Sequence, residues 1–280
     1  PFSHLKPAIH IFLLNVIGSV YLQLNNVLLG FMKDVEAVGY FTAATKILVI
    51  AMSFSSSLGA VIMPRTSNLI AENKMDEFKT LIQKSYDFVL ALAMPLTVGL
   101  IFISPSAILL LSGEGFASAI LTSQIIAFNI LTVSIAGVMG FQVLYPMGRI
   151  NTVIFCTFIG AIVNILMNVL LTPVYGHNGT AVAYMLAEVA VTFSMFILGR
   201  KYIPIQFFKK EHLHYIIGSV VMGIGLYFIS NSQLDNIMML TFMLLVGGLT
   251  YVGILVVLKD SVSKIIQKTI SQYFEKKKIL

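Results

Sequence analysis

The chain has 280 residues, of which 58% are hydrophobic and 11% charged, with a net charge of +6. A soluble domain carries about 25% charged residues and fewer apolar ones, so one soluble core cannot hide this much apolar surface. The single cysteine, Cys156, excludes an internal disulfide and a thiolate metal cluster.

The apolar residues fall in blocks close to the length of helix, about 20 residues, that crosses a bilayer core. In chain order the predicted spans are 8–32, 35–63, 86–111, 117–144, 151–172, 179–202, 215–230 and 237–258. In span one, Asn15, Ser19, Gln23 and Asn26 recur at helical steps and share one face, from which Asn25 points away. Span two holds Lys46 about ten residues, roughly 15 Å, from its nearer end, too deep for the side chain to snorkel. Span three carries Pro95 and Pro105. Span four carries Gln124, Asn129 and Gln142 on no common face and ends at the turn Tyr145-Pro-Met-Gly-Arg149. Asn164 and Asn168 share a face of span five, and Glu188 lies within span six. Spans seven and eight hold almost nothing polar beyond Ser, Thr and Tyr. Membrane barrels alternate polar and apolar residues, whereas these blocks are continuous, so the fold class is an all-α bundle of about eight spans.

Sidedness follows from the basic residues. With eight spans, 16 of the 18 Lys and Arg fall on one side, which the positive-inside rule makes cytoplasmic. Both ends of the chain then lie on that side. This placement points the positive charge at a membrane surface, and no nucleic-acid partner is expected. Residues 73–84, with Asn73 as N-cap and Met75, Phe78, Leu81 and Ile82 on one face, read as an interfacial or solvated helix. The tail 259–280 reads as a basic amphipathic segment, with Val262, Ile265, Ile266, Ile270, Tyr273 and Phe274 against its lysines.

Polar groups inside a bilayer are costly and face the bundle interior or water. For each Asn or Gln, helix–helix hydrogen bonding is the plain reading. The span-one stripe as a whole points to a water-filled path. Lys46 is a candidate for binding an anion, or else pairs with Glu188 to tie two helices. Arg149 serves topology or guards a cytoplasmic mouth. The sequence has no nucleotide-binding glycine loop, no Gly-x-Ser-x-Gly elbow and no His-Glu-x-x-His pair. No enzyme activity and no cofactor are expected. Asn178-Gly-Thr180 matches a glycosylation sequon, a match that chance supplies often.

Several segments carry a family resemblance. They are Tyr21-Leu-Gln-Leu-Asn-Asn-Val-Leu-Leu-Gly30, Val38-Gly-Tyr-Phe-Thr-Ala-Ala-Thr-Lys-Ile47, Met63-Pro-Arg65 and Met94-Pro-Leu-Thr-Val-Gly99. The best match is Asn164-Ile-Leu-Met-Asn168, then Pro173-Val-Tyr-Gly176, Gly179-Thr-Ala and Glu188. Their order and spacing resemble the Wzx-type polysaccharide flippases of the multidrug/oligosaccharidyl-lipid/polysaccharide (MOP) exporter superfamily. One departure is that Asn25 and Asn26 stand where relatives often have Asp and a basic residue, which argues against ion coupling there.

The resemblance implies two six-helix lobes, often with two extra helices. Residues 1–203 would be the second lobe, 204–258 the extra pair and 259–280 the tail, with the first lobe on a missing N-terminal part. Residue 1 is Pro, which fits a chain that begins inside a longer protein. The implied function is flipping of a polyprenyl-diphosphate-linked oligosaccharide across the inner (plasma) membrane of a bacterium by alternating access, for surface polysaccharide synthesis. Lys46 would meet the diphosphate, and Asn15, Ser19, Gln23 and Asn26 the sugars. Asn164, Asn168, Glu188 and Arg149 complete the expected path, with H+ or Na+ as the coupling ion. The alternatives are a multidrug antiporter or lipid II flippase of the same superfamily, and a membrane glycosyltransferase or polymerase.

Overall fold

The structure, a computed structural model, describes residues 23–232, 234–258 and 260. They form helices and connecting turns, with no strand among them. The predicted residues Asn15 and Ser19 and nearly all of the tail lie outside the described residues. Helix α1 is described over 23–32. It is followed by α2 (Val35–Ala71), α3 (Met75–Ser112), α4 (Ala119–Ile126) and α5 (Asn129–Gly137). A π-helical segment, Val138–Leu144, closes the fourth span. Then come α6 (Ile150–Gly199), α7 (His212–Ser230) and α8 (Asn236–Val257).

Among the described residues six helical stretches are long and apolar enough to cross a membrane. One of them supplies two crossings. Helix α6 runs for 50 residues but breaks at Gly176, where φ is 57° and ψ −136°. Pro173 lies just before the break. The hydroxyls of Thr172 and Thr180 are 2.9 Å apart. A Cβ on Gly160 would sit 2.2 Å from Val191 Cγ2. An unbroken helix would hold residues 160 and 191 roughly 45 Å apart. Thus α6 is an antiparallel hairpin, and its two limbs are the predicted fifth and sixth spans. Small residues let the limbs close. A Cβ on Gly179 would meet the Leu171 carbonyl oxygen at 2.4 Å, which only glycine avoids.

Two predicted boundaries shift. The segment 73–84 is not a separate interfacial or solvated helix. It is the first part of α3, and Phe78 and Ile82 are fully buried in the protein core. They belong to a core cluster against which Leu69 and Ile70 of α2 also pack, because α2 and α3 extend together past the apolar windows. Asn73 is not the N-cap either. It takes φ 57°, and Lys74 occupies the cap position without a side-chain bond.

The prolines of α3 show how the bundle repairs its own breaks. A proline in a helix has no N–H for the carbonyl four residues earlier. For Pro95 that carbonyl is Ala91, and the Tyr251 hydroxyl of α8 donates to it at 2.6 Å. For Pro105 it is Ile101, and Gln124 Nε2 of α4 donates to it at 3.0 Å. In lipid no water can make either bond.

Helices α7 and α8 pack on each other and on α3. The connector before α7 is pinned by a buried polar cluster. Asp87 of α3 accepts from Gln83 Nε2 at 2.7 Å and from Lys209 Nζ at 2.9 Å, and it pairs with His212 Nε2 at 3.0 Å. Tyr86 packs edge-on against both Phe207 and His212.

Candidate functional site

Two groups of polar residues stand out in the spans, a buried network and a partly exposed stripe. The network centres on Asn25 of α1, which is 1% exposed. Its Oδ1 accepts from Asn164 Nδ2 at 3.0 Å and from Asn168 Nδ2 at 3.1 Å. Asn168 Oδ1 accepts from the Thr172 hydroxyl at 2.8 Å, and Thr172 meets Thr180 across the hairpin. The chain of bonds joins α1 to both limbs of α6 and carries no charged group. Asn164 and Asn168 are fully buried in it, so they act as bonds between helices and do not face the exposed stripe. The residue set aside in the sequence, Asn25, is the hub. Helical spacing alone carries no signal that this face is a seam; Leu29, one turn further along α1, is fully buried with it.

The stripe lies on the outer side of the α1–α2 pair. Gln23 is exposed, and its Oε1 accepts from Asn26 Nδ2 at 3.5 Å. Asn26 Oδ1 accepts from the Thr42 hydroxyl of α2 at 3.4 Å. Lys46 follows Thr42 by one helical turn and is exposed. It makes no ion pair among the described residues, so the alternative pairing with Glu188 does not form. The opposite face of α2 carries Phe41, Ala44 and Leu48, all buried in the lobe core. The amphipathic character of α2 therefore turns Lys46 outward, away from the rest of the lobe.

Glu188 and Arg149 come from α6 and its cap, not from the α1–α2 pair. Glu188 sits on the second limb of α6 and is 8% exposed. Its backbone carbonyl accepts from the Thr192 hydroxyl at 2.8 Å, and that hydroxyl also reaches the Thr132 carbonyl of α5 at 3.0 Å. Asn129, one turn before Thr132, is fully buried with neither amide atom bonded. Arg149 occupies the cap position of α6 after Gly148, whose φ is 70°. The other two polar residues of span four are structural. Gln124 repairs the Pro105 break, and Gln142 accepts from the Ser85 hydroxyl at 2.6 Å in the core. The sequon is closed as well, since Thr180 is fully buried and the Asn178 amide accepts from Thr122. No cluster of metal-ligating side chains is found among the described residues.

Comparison with known proteins places this geometry. Residues 2–247 match the family described as lipid II flippase MurJ. An uncharacterised membrane protein of Methanocaldococcus jannaschii is 26% identical over 265 residues, 90% of this chain and 51% of that protein. A probable low-salt glycan biosynthesis flippase of Haloferax volcanii is 24% identical over 170 residues, 61% of this chain and 36% of that protein. Among solved structures, the lipid II flippase MurJ in an inward closed conformation superposes with a TM-score of 0.73 at 17% identity. That match covers 91% of this chain and 54% of the MurJ chain. The chain thus spans about half the length of these two relatives. It is a multi-pass membrane protein, and it belongs to the lipid II flippase MurJ family.

Proposed function

We propose, with that membership as the premise, that this chain is one lobe of a flippase, with two further helices. Its substrate would be an oligosaccharide carried on a polyprenyl diphosphate. The observation that carries the proposal is the polar stripe that runs from exposed Gln23 through half-buried Asn26 and Thr42 to exposed Lys46. A lysine at mid-span cannot face hydrocarbon cheaply. A wet path between this lobe and a second one gives the stripe a polar neighbour. Asn15 and Ser19 share its helical spacing and would extend it. The ammonium of Lys46 would hold the diphosphate, and the amides and hydroxyls would exchange hydrogen bonds with sugar. Rocking of one lobe against the other would turn the site from the basic-rich, cytoplasmic side to the opposite side.

The coupling ion belongs elsewhere than Asn25. A cation site gains affinity from carboxylates, and the Asn25 network has none. Glu188, a nearly buried acid within a span, is the better candidate for a coupling proton.

A second reading is lipid II itself as substrate, which the matched family favours, while the glycan flippase of Haloferax favours an oligosaccharide. The test is flipping by the whole protein in proteoliposomes, offered each lipid in turn. Oligosaccharide flipped and lipid II left in place is the expected outcome. The reverse would move the assignment to lipid II, and neither moving would end the flippase reading.

A further inference from the structure

The fourth span is broken in its middle. Helix α4 ends at Ile126 and α5 starts at Asn129. Across the break the N–H groups of Ile130 and Leu131 donate to the carbonyls of Ala127 and Phe128 at 3.0 and 3.2 Å, three residues back instead of four. A tightened turn inside a helix marks a hinge or strain. Asn129 sits on this turn, 0% exposed, with neither Nδ2 nor Oδ1 bonded among the described residues. By contrast Asn25, Asn164 and Asn168 bond to one another. Burying an unbonded donor and acceptor inside a bilayer is costly, so packing alone does not account for an amide at this place.

The second limb of α6 brings an acid alongside. The Thr192 hydroxyl reaches the Thr132 carbonyl at 3.0 Å and the Glu188 carbonyl at 2.8 Å, so Thr132 and Glu188 share one level of the bundle. The fourth and sixth spans run in the same direction, because the turn at 145–149 and the α6 hairpin each reverse the chain. Helical side chains lean toward the N-terminal end of their helix. The Glu188 carboxyl therefore reaches back toward the level of Asn129, one turn before Thr132. Tyr184, one turn before Glu188, belongs to the same core cluster as Ile126, Ala127 and Ile130 at the break. Ionisable groups on the neighbouring elements are few. Helices α4 and α5 and the π-helical segment have none. On the second limb Tyr184 interacts electrostatically with Glu188. On the first limb Cys156 faces Ser194, more than a turn beyond Glu188. On α2, Glu36 and Tyr40 bond to each other near its start, Lys46 is exposed on the outward face and Arg65 lies near its end.

We propose, resting on Glu188 as the site of the coupling proton, that Asn129 is a positioning residue that answers its protonation. An amide matches both forms of a carboxyl group. Protonated Glu188 donates its O–H to Asn129 Oδ1, and ionised Glu188 accepts from Asn129 Nδ2. A half-turn of the amide exchanges one bond for the other, so the acid keeps a partner through a whole cycle. The proton enters from water and leaves to water, and Asn129 takes none up. Forming either bond draws Asn129 toward the sixth span, and so acts on the hinge from which α5 starts.

The test is infrared difference spectroscopy of the whole protein in liposomes, titrated with pH in the absence of any lipid-linked sugar. Wild type is expected to show the carbonyl band of a protonated carboxylic acid, lost as the pH rises and absent from Glu188→Gln. Asn129→Leu is expected to shift that band to higher wavenumber, because the acid's O–H loses its acceptor. Asn129→Gln keeps an amide and is expected to restore part of the shift. Each variant is scored on its monodisperse fraction, and Asn129→Ala serves if Asn129→Leu fails to fold. A purely structural asparagine would change stability and leave the band in place. An unshifted band in the folded variant would overturn the role of Asn129 while Glu188 keeps its own. A band missing from wild type, or one that survives Glu188→Gln, would end the assignment of Glu188 and this inference with it.

Discussion

The hydroxyl of Tyr251 donates to the carbonyl of Ala91 at 2.6 Å, at the place where Pro95 leaves that carbonyl without a helical partner. Helix α8, which looks dispensable from its apolar sequence, thus completes the hydrogen bonding of α3. Tyr251→Phe keeps the ring and removes the donor. It is expected to lower stability by about 1 kcal/mol, the usual scale for a buried hydrogen bond in a membrane bundle. Thermal unfolding in detergent would read this. Tyr227→Phe is the control, because that ring is more than half exposed and should change nothing.

The α6 hairpin depends on close approach of its limbs. Gly179→Ala places a methyl group within 2.4 Å of the Leu171 carbonyl oxygen, and backbone cannot step aside as a side chain can. A loss of about 1–3 kcal/mol is expected, the range for overpacking a tight contact. Gly225→Ala meets nothing within 4 Å and should be neutral in the same unfolding assay.

The asparagine network should matter for stability and not for ion coupling. Asn25→Leu leaves the Asn164 and Asn168 amides without their shared acceptor. A lower unfolding temperature is expected, with the ion dependence of flipping per folded molecule unchanged. Loss of sodium or proton dependence in a folded Asn25→Leu protein would return the coupling site to α1.

Much of this architecture is legible in the sequence because lipid leaves the chain few choices. The apolar blocks, Pro173 and Gly176 mark where the spans begin and turn, and the fifth and sixth spans emerge as the limbs of one hairpin. The lysine- and arginine-rich ends of the spans are harder to read. Phe78 and Ile82 look interfacial because periodicity gives a face but not its neighbour, and α2 supplies that neighbour only in three dimensions. The same limit applies to the polar residues. Helical spacing groups Gln23 with Asn26 and sets Asn25 aside, yet it cannot say which face is water and which is a hydrogen-bonded seam. Tyr251, Asp87 and His212 escape notice because their roles depend on partners between 120 and 160 residues away.

The most direct measurement is flipping of a polyprenyl-diphosphate-linked oligosaccharide by the whole protein in proteoliposomes, with wild type beside Lys46→Ala and Lys46→Arg. Removing an exposed side chain costs little stability, usually under about 0.5 kcal/mol, so both variants should fold. The expected result is that Lys46→Ala loses at least tenfold in rate, about 1.4 kcal/mol of diphosphate binding, while Lys46→Arg keeps part of it. Wild-type flipping by a folded Lys46→Ala protein would contradict a cationic path on this face.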